Sequence, residues 1–152
     1  MRVYLPGTVE TLRELASRSA VGAPPITAFA VTPGLREWYV DDDIDELEYA
    51  AAGEAARASL RLISVAPGGA ARRVVLSADL PDAQVEIRDD LDRGVVRLAA
   101  PVPIEAIAAV HIDEHEAESV IESAVASIDA ADIGDESAQA AVDDAEGYEL
   151  AW

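Results

Sequence analysis

The sequence predicts an α+β fold: a mixed sheet with its longer helices mainly on one face, ferredoxin-like in flavour. Three observations carry this. The chain opens on a strand–helix–strand unit, it contains a hairpin pattern in its second half, and its longest helical pattern presents small residues suited to lying flat on a sheet. At 152 residues one domain spanning 1–152 is expected, large enough to bury roughly two-thirds of its unfolded surface without metals or disulfides.

The elements follow in order. Residues 2–5 read as a strand stopped by Pro6 and Gly7. Thr8 caps a helix whose first turn holds Glu10, and Val9, Leu12 and Ala16 share one face. That pattern ends over residues 21–25, and residues 26–31 read as a buried strand closed by Thr32, Pro33 and Gly34. If the two strands run parallel in one sheet, the crossover is right-handed. The acids over 41–45 suit the start of a long helix, in which Leu47, Ala51, Ala55, Ala58 and Leu62 recur at helical spacing and Pro67 marks the end. Residues 73–77 form a strand, and residues 85–88 and 95–99 a hairpin. Residues 101–107 read as a loop with one helical turn, and 109–112 as a strand. A helix carries Ala117, Val120, Ile121, Ala124 and Ile128 on one stripe, a second spans 135–145, and 148–152 would be a last strand. A weak echo between Val3–Pro6 and the segment from Val96 to Pro101 suggests a duplicated βαβ-like unit.

Charge is the strongest single feature. From Leu98 onward there are fourteen carboxylates and no Lys or Arg; the whole chain carries a net charge of −19. Such a chain avoids nucleic-acid phosphates and anionic lipid. No apolar run approaches the length of a membrane span and no leader pattern opens the chain, so a cytoplasmic location is expected. Cys, Lys and Asn are absent while Ala occurs thirty-one times. Thiolate, Schiff-base and P-loop lysine chemistry are thereby excluded. The codon bias implied is that of a high-GC genome, with adaptation to high salt the competing reading.

Two constellations could carry function. His111, Asp113, His115 and Glu116 gather both histidines at a strand-to-helix junction, and imidazole with carboxylate suits zinc, manganese or iron. Against a metal stand the missing third imidazole and the ordinary place of acids at a helix start, so no cofactor is expected. Arg36, Trp38 and Tyr39 form the richest aromatic patch of an aromatic-poor chain. They either plug the open end of a sheet or form a binding surface. The acidic run from Asp41 fails as an EF-hand, because Glu46 stands where the turn glycine belongs and Ala52 where the bidentate Glu belongs.

The segments 26–39, 72–79 and 96–103 resemble a small family from high-GC actinobacteria known only as a domain of unknown function. The resemblance runs over most of the chain and implies neither an activity nor site residues. The reading that results is a non-enzymatic cytoplasmic binding or regulatory module. It is expected to form a homodimer through its near-neutral first half, near Trp38, Tyr39 or the helix from Leu47 to Leu62, and a protein partner is a further expectation. The alternative is a metal-dependent enzyme built on the histidine cluster. A third idea is an acidic inhibitor that mimics DNA.

Overall fold

The computed structural model describes residues 1–39, 43–66 and 68–148. Among these residues the fold is α+β, with a six-stranded sheet, a two-stranded sheet and five α-helices. The first strand, β1 (Arg2–Gly7), runs two residues further than expected, through Pro6 and Gly7. Pro6 is tolerated because the strand on one side pairs with β1 only at Tyr4↔Phe29, leaving that end of β1 bonded on the other side alone. The helix α1 (Val9–Arg18) starts where the Thr11 hydroxyl accepts a hydrogen bond from the Thr8 N–H at 2.9 Å, and it ends at Ser19 in the left-handed region. The strands β2 (Ala20–Val21) and β3 (Ile26–Phe29) follow, then α2 (Pro33–Trp38) and the long α3 (Ile44–Val65). After them come β4 (Val74–Asp79), the hairpin β5 (Val85–Ile87) and β6 (Val95–Leu98), β7 (Val102–Pro103), β8 (Ile107–Ile112), α4 (Glu118–Asp132) and α5 (Glu136–Glu146).

The large sheet has the order β5-β6-β3-β1-β4-β8 and every neighbouring pair is antiparallel. This corrects the mixed sheet expected from sequence. The error lies in β1–α1–β3: β2, paired with β7 in the small sheet, and the residues after it carry the chain back, so β3 enters antiparallel to β1. The helical crossover belongs instead to β3–α3–β4. Both of these strands oppose β1, hence they run parallel to each other with β1 between them, a split β-α-β unit of ferredoxin-like kind. The duplication echo leads to no second helix, because β6 continues into β7 and a short 3₁₀ turn among prolines. Of the final strand, only Tyr148 is described; residues 149–152 lie outside the described residues.

Side-chain alternation sorts the sheet into two faces. On one, Val3, Leu5, Val74, Leu76, Val96 and Leu98 are buried with Leu15 of α1 and with Val21 and Val102 of the small sheet. On the other, Tyr4, Phe29, Val75 and Val95 pack against Leu35 of α2 and Leu47, Ala51 and Ala55 of α3. The longer helices α3, α4 and α5 thus sit on one side and α1 on the other. The α4–α5 pair docks on the C-terminal half of α3, where Leu60 and Ile63 meet Ile121, Ala124, Ile128 and Val142. Full burial of a Leu contributes about 1.5–3 kcal/mol and an Ala much less, so α3 leans on Leu47 and Leu60 for its anchoring. Ser59 adds a polar tie: its hydroxyl donates to the Gly7 carbonyl at 2.7 Å and accepts from the Val74 N–H at 3.1 Å. That one side chain joins α3 to the end of β1 and the start of β4. Asp43 caps α3 by accepting from the Asp45 N–H at 3.0 Å; Asp41 and Asp42 lie outside the described residues.

Candidate functional site

The histidine cluster does not assemble. The period of two puts His111 and Asp113 on one side of the chain, yet their environments differ. Asp113 is fully buried and accepts from Arg73 Nε and Nη2 at 2.9 and 2.8 Å and from the Arg73 N–H at 2.8 Å. Arg73 is itself buried and also donates to the Tyr148 carbonyl at 2.6 Å. Asp113 is therefore the structural partner of a guanidinium, and its oxygens are occupied. His115 is exposed on a 3₁₀ turn beside Glu118, its Nδ1 3.2 Å from a Glu118 oxygen, and Glu116 is exposed on the same turn. Among the described residues, no three His, Asp or Glu stand together as a group able to hold a metal.

The aromatic patch is placed by a network around Asp89. The Thr32 hydroxyl donates to Asp89 at 2.6 Å and accepts from the Leu35 and Gly94 N–H groups, at 3.2 and 3.1 Å. The Gly34 N–H donates to the other Asp89 oxygen at 2.9 Å. A Cβ on Gly34 would come within 2.7 Å of that carboxylate, so only glycine allows the approach. The first turn of α2 is thereby tied to the β5–β6 connection, and Trp38 at the end of α2 meets Arg93 from that connection. The guanidinium carbon lies 3.5 Å from the ring centroid, a cation–π contact. Trp38 remains 60% exposed, and Tyr39 is exposed too, so neither plugs the core. They line a shallow hollow with Asp92 and Arg93; among the described residues Arg36 does not line it.

A larger feature lies beside this patch. Away from the half of α3 on which α4 and α5 dock, a recess lies between α3 and the β1–β4–β8 side of the sheet. It is a cleft of about 690 Å³, within the range of small-molecule sites. Its floor comes from alternate residues of adjacent strands: Arg2 and Tyr4 of β1, Val75 and Ser77 of β4, and His111 of β8. Its wall is one face of α3, with Glu48, Ala52, Gly53 and Ala56, and Tyr148 closes one end. Ala50 and Glu54 line both the cleft and the aromatic hollow, so the two form one continuous surface.

The floor is polar but quiet. Ser77 is buried at a shift in the β4–β8 register, and its hydroxyl lies 2.8 Å from His111 Nε2. Burial, and then the Arg2 charge, hold the His111 imidazolium form below its ordinary pKa, so the ring is neutral at pH 7. Burial, and then the Glu48 carboxylate, push the Tyr4 phenol up to about 12. Glu54 counts as exposed over the whole residue, yet desolvation of its carboxyl, then the Asp92 charge, raise its pKa. Ser77 and His111 thus offer a hydroxyl and a neutral imidazole on the cleft floor.

Gly53 is the residue whose meaning sequence reading missed. It stands inside α3, where glycine costs about 0.5–1 kcal/mol relative to alanine, and a Cβ there would meet nothing within 4 Å. No packing demand explains it. It is exposed and is among the residues lining the cleft.

No curated protein and no solved structure shows significant similarity to this chain. The profile of a family of unknown function, DUF6912, matches residues 1–152. The chain belongs to that family.

Proposed function

We propose that the protein is a non-enzymatic binding module whose site is the cleft between α3 and the β1–β4–β8 half of the sheet. One observation carries the reading: a cleft of about 690 Å³ walled by a mid-helix glycine that no packing constraint requires. Trp38 and Tyr39 border the same surface through Ala50 and Glu54. The metal-dependent enzyme is disfavoured by the occupation of Asp113 and the separate settings of His111 and His115. A cytoplasmic, actinobacterial setting belongs to the same reading, supported by the lysine-free, alanine-rich composition.

Thermal-shift screening of a metabolite panel tests the site when wild type and Gly53→Leu are run side by side. At least one compound is expected to raise the melting temperature of wild type and to leave Gly53→Leu unmoved. Equal responses from both proteins, or none from wild type, would refute it.

A second reading, self-association, is favoured by Trp38, whose ring is exposed yet held in place by Arg93. An aromatic fixed on one side and open on the other loses little further entropy when it is covered.

A further inference from the structure

We infer that the free edge of β8 takes up an extended peptide as a further strand of the large sheet. The peptide it fits has apolar residues at alternate positions and Lys or Arg at both ends. This site lies on the sheet edge and stands independently of the cleft.

The ladder hydrogen bonds show which backbone groups are open. β8 ends the sheet and pairs only with β4. The Asp113 N–H donates to the Arg73 carbonyl at 3.1 Å. In an antiparallel ladder bonded and non-bonded pairs alternate, so His111↔Val75 and Ala109↔Ser77 are bonded pairs too. Ile112↔Val74 and Val110↔Leu76 then exchange no bonds, and the Val74 N–H accordingly turns to the Ser59 hydroxyl at 3.1 Å. The N–H and C=O groups of Val110 and Ile112 point away from β4, and among the described residues no hydrogen bond reaches them.

The two edges of the sheet are treated differently. Sheets blunt their edges with short strands, charged side chains, prolines and bulges. At the far edge β5 is three residues long, holds Glu86 and runs into Arg88. β8 has six residues and no Pro, acid, Lys or Arg. Its one irregularity, opposite Ser77 and Ala78, lies at the Ile107 end and leaves residues 109–112 in regular register.

Side chains and charge name the occupant. Val110 and Ile112 are half-buried at the rim of the α1-side core. A strand laid along them buries every second side chain against that rim. Exposed Glu105 precedes β8, exposed Glu114 and Glu116 follow it, and no Lys or Arg occurs from Leu98 onward. Arg72, beside the Asp113 end, already donates to the Asp113 carbonyl at 2.8 Å. Acids thus bracket the open strand, which suits basic residues at both ends of the incoming one. A second copy of the chain would instead bring the same acids and another charge of −19 to this edge.

Fluorescence anisotropy with a labelled peptide of alternating Val and Thr, closed by an Arg pair at each end, tests the assignment. Two counterparts accompany it: one closed by Glu pairs, and one closed by Arg pairs but N-methylated at two adjacent central residues, which blocks both of its edges. The unmethylated Arg-closed peptide is expected to bind wild type at least about tenfold more tightly than either. Val110→Pro removes an outward N–H at a place where an edge strand tolerates proline, and is expected to abolish binding with the circular dichroism spectrum unchanged. Hydrogen exchange on wild type reads the same edge without any substitution. The Arg-closed peptide is expected to slow exchange at Val110 and Ile112 by about tenfold or more, leaving Ala109 and His111, already bonded to β4, as they were. Equal binding of the N-methylated peptide, no binding at all, or unchanged exchange at Val110 and Ile112 would overturn the edge site. Equal binding of the Glu-closed peptide would overturn the basic ends. Slowing of these two amides with protein concentration, in the absence of peptide, would give the edge to a second copy and overturn the peptide assignment.

Discussion

Arg73 and Asp113 form the pair on which the junction of β4, β8 and the segment after α5 depends. Both side chains are buried, the geometry is bidentate, and Arg73 also holds the Tyr148 carbonyl. Removing one partner strands the other charge in a poorly solvated place, which costs about 3–5 kcal/mol. Asp113→Ala is therefore expected to lose stability of about that size in urea unfolding at neutral pH; a loss under about 1 kcal/mol would mean water reaches Arg73. His111 sets a second expectation. Its folded pKa lies below the ordinary 6.5, so unfolding takes up a proton and the neutral ring stabilises the fold above that pH. This contribution disappears as pH falls from 6.5 through the depressed folded value. Wild type should lose more melting temperature than His111→Gln between pH 7 and pH 5. Equal losses would show that the ring titrates alike in both states.

At the scale of elements, α3 concentrates the account, since it anchors the core on one face and walls the cleft on the other. Gly53→Ala should raise stability by about 0.5–1 kcal/mol, because the added methyl meets open space while the unfolded chain loses freedom. A loss of stability in that variant would show that the glycine answers a packing need after all. The helices α1, α3, α4 and α5 were legible in the sequence because each carries an apolar stripe of period 3.6, and the β5–β6 hairpin because its two runs flank a turn-rich segment. α2 is less legible: Thr32 and Pro33 fit a turn, but a Thr cap followed by Pro at the first helical position also opens a helix. Two-residue strands such as β2 and β7 leave no periodic trace. Strand direction escaped for the same reason, since β2 is what reverses β3. Nothing local to the histidine cluster reveals that Arg73, just before β4, takes Asp113. The cleft depends on how α3 sits over the sheet, a tertiary fact; Gly53 inside a helical pattern was its one local sign.

At the scale of the molecule, charge and surface decide behaviour. Arg57 and Arg61 bind Asp132, and Arg57 also binds Glu146, tying α3 to α4 and α5. Such partly exposed pairs contribute little, typically about 0–1 kcal/mol each, against thirty acids facing eleven arginines. Screening should therefore relieve more repulsion than it costs in attraction. The melting temperature is expected to rise from low salt to about 0.5 M NaCl; a flat or falling curve would mean the ion pairs outweigh the repulsion. Light scattering on wild type and Trp38→Ala addresses self-association, with a dimer expected for the first and a shift towards monomer for the second. Monomers in both would remove that reading. The most direct test of the central claim, that the α3–sheet cleft is the working site, is amide NMR of ¹⁵N-labelled protein against a small-fragment library. Binding fragments are expected to shift the amides of Tyr4, Gly53, Ser77 and His111 together. Fragments that shift none of these four, or whose shifts gather on the α1 side of the sheet, would contradict it.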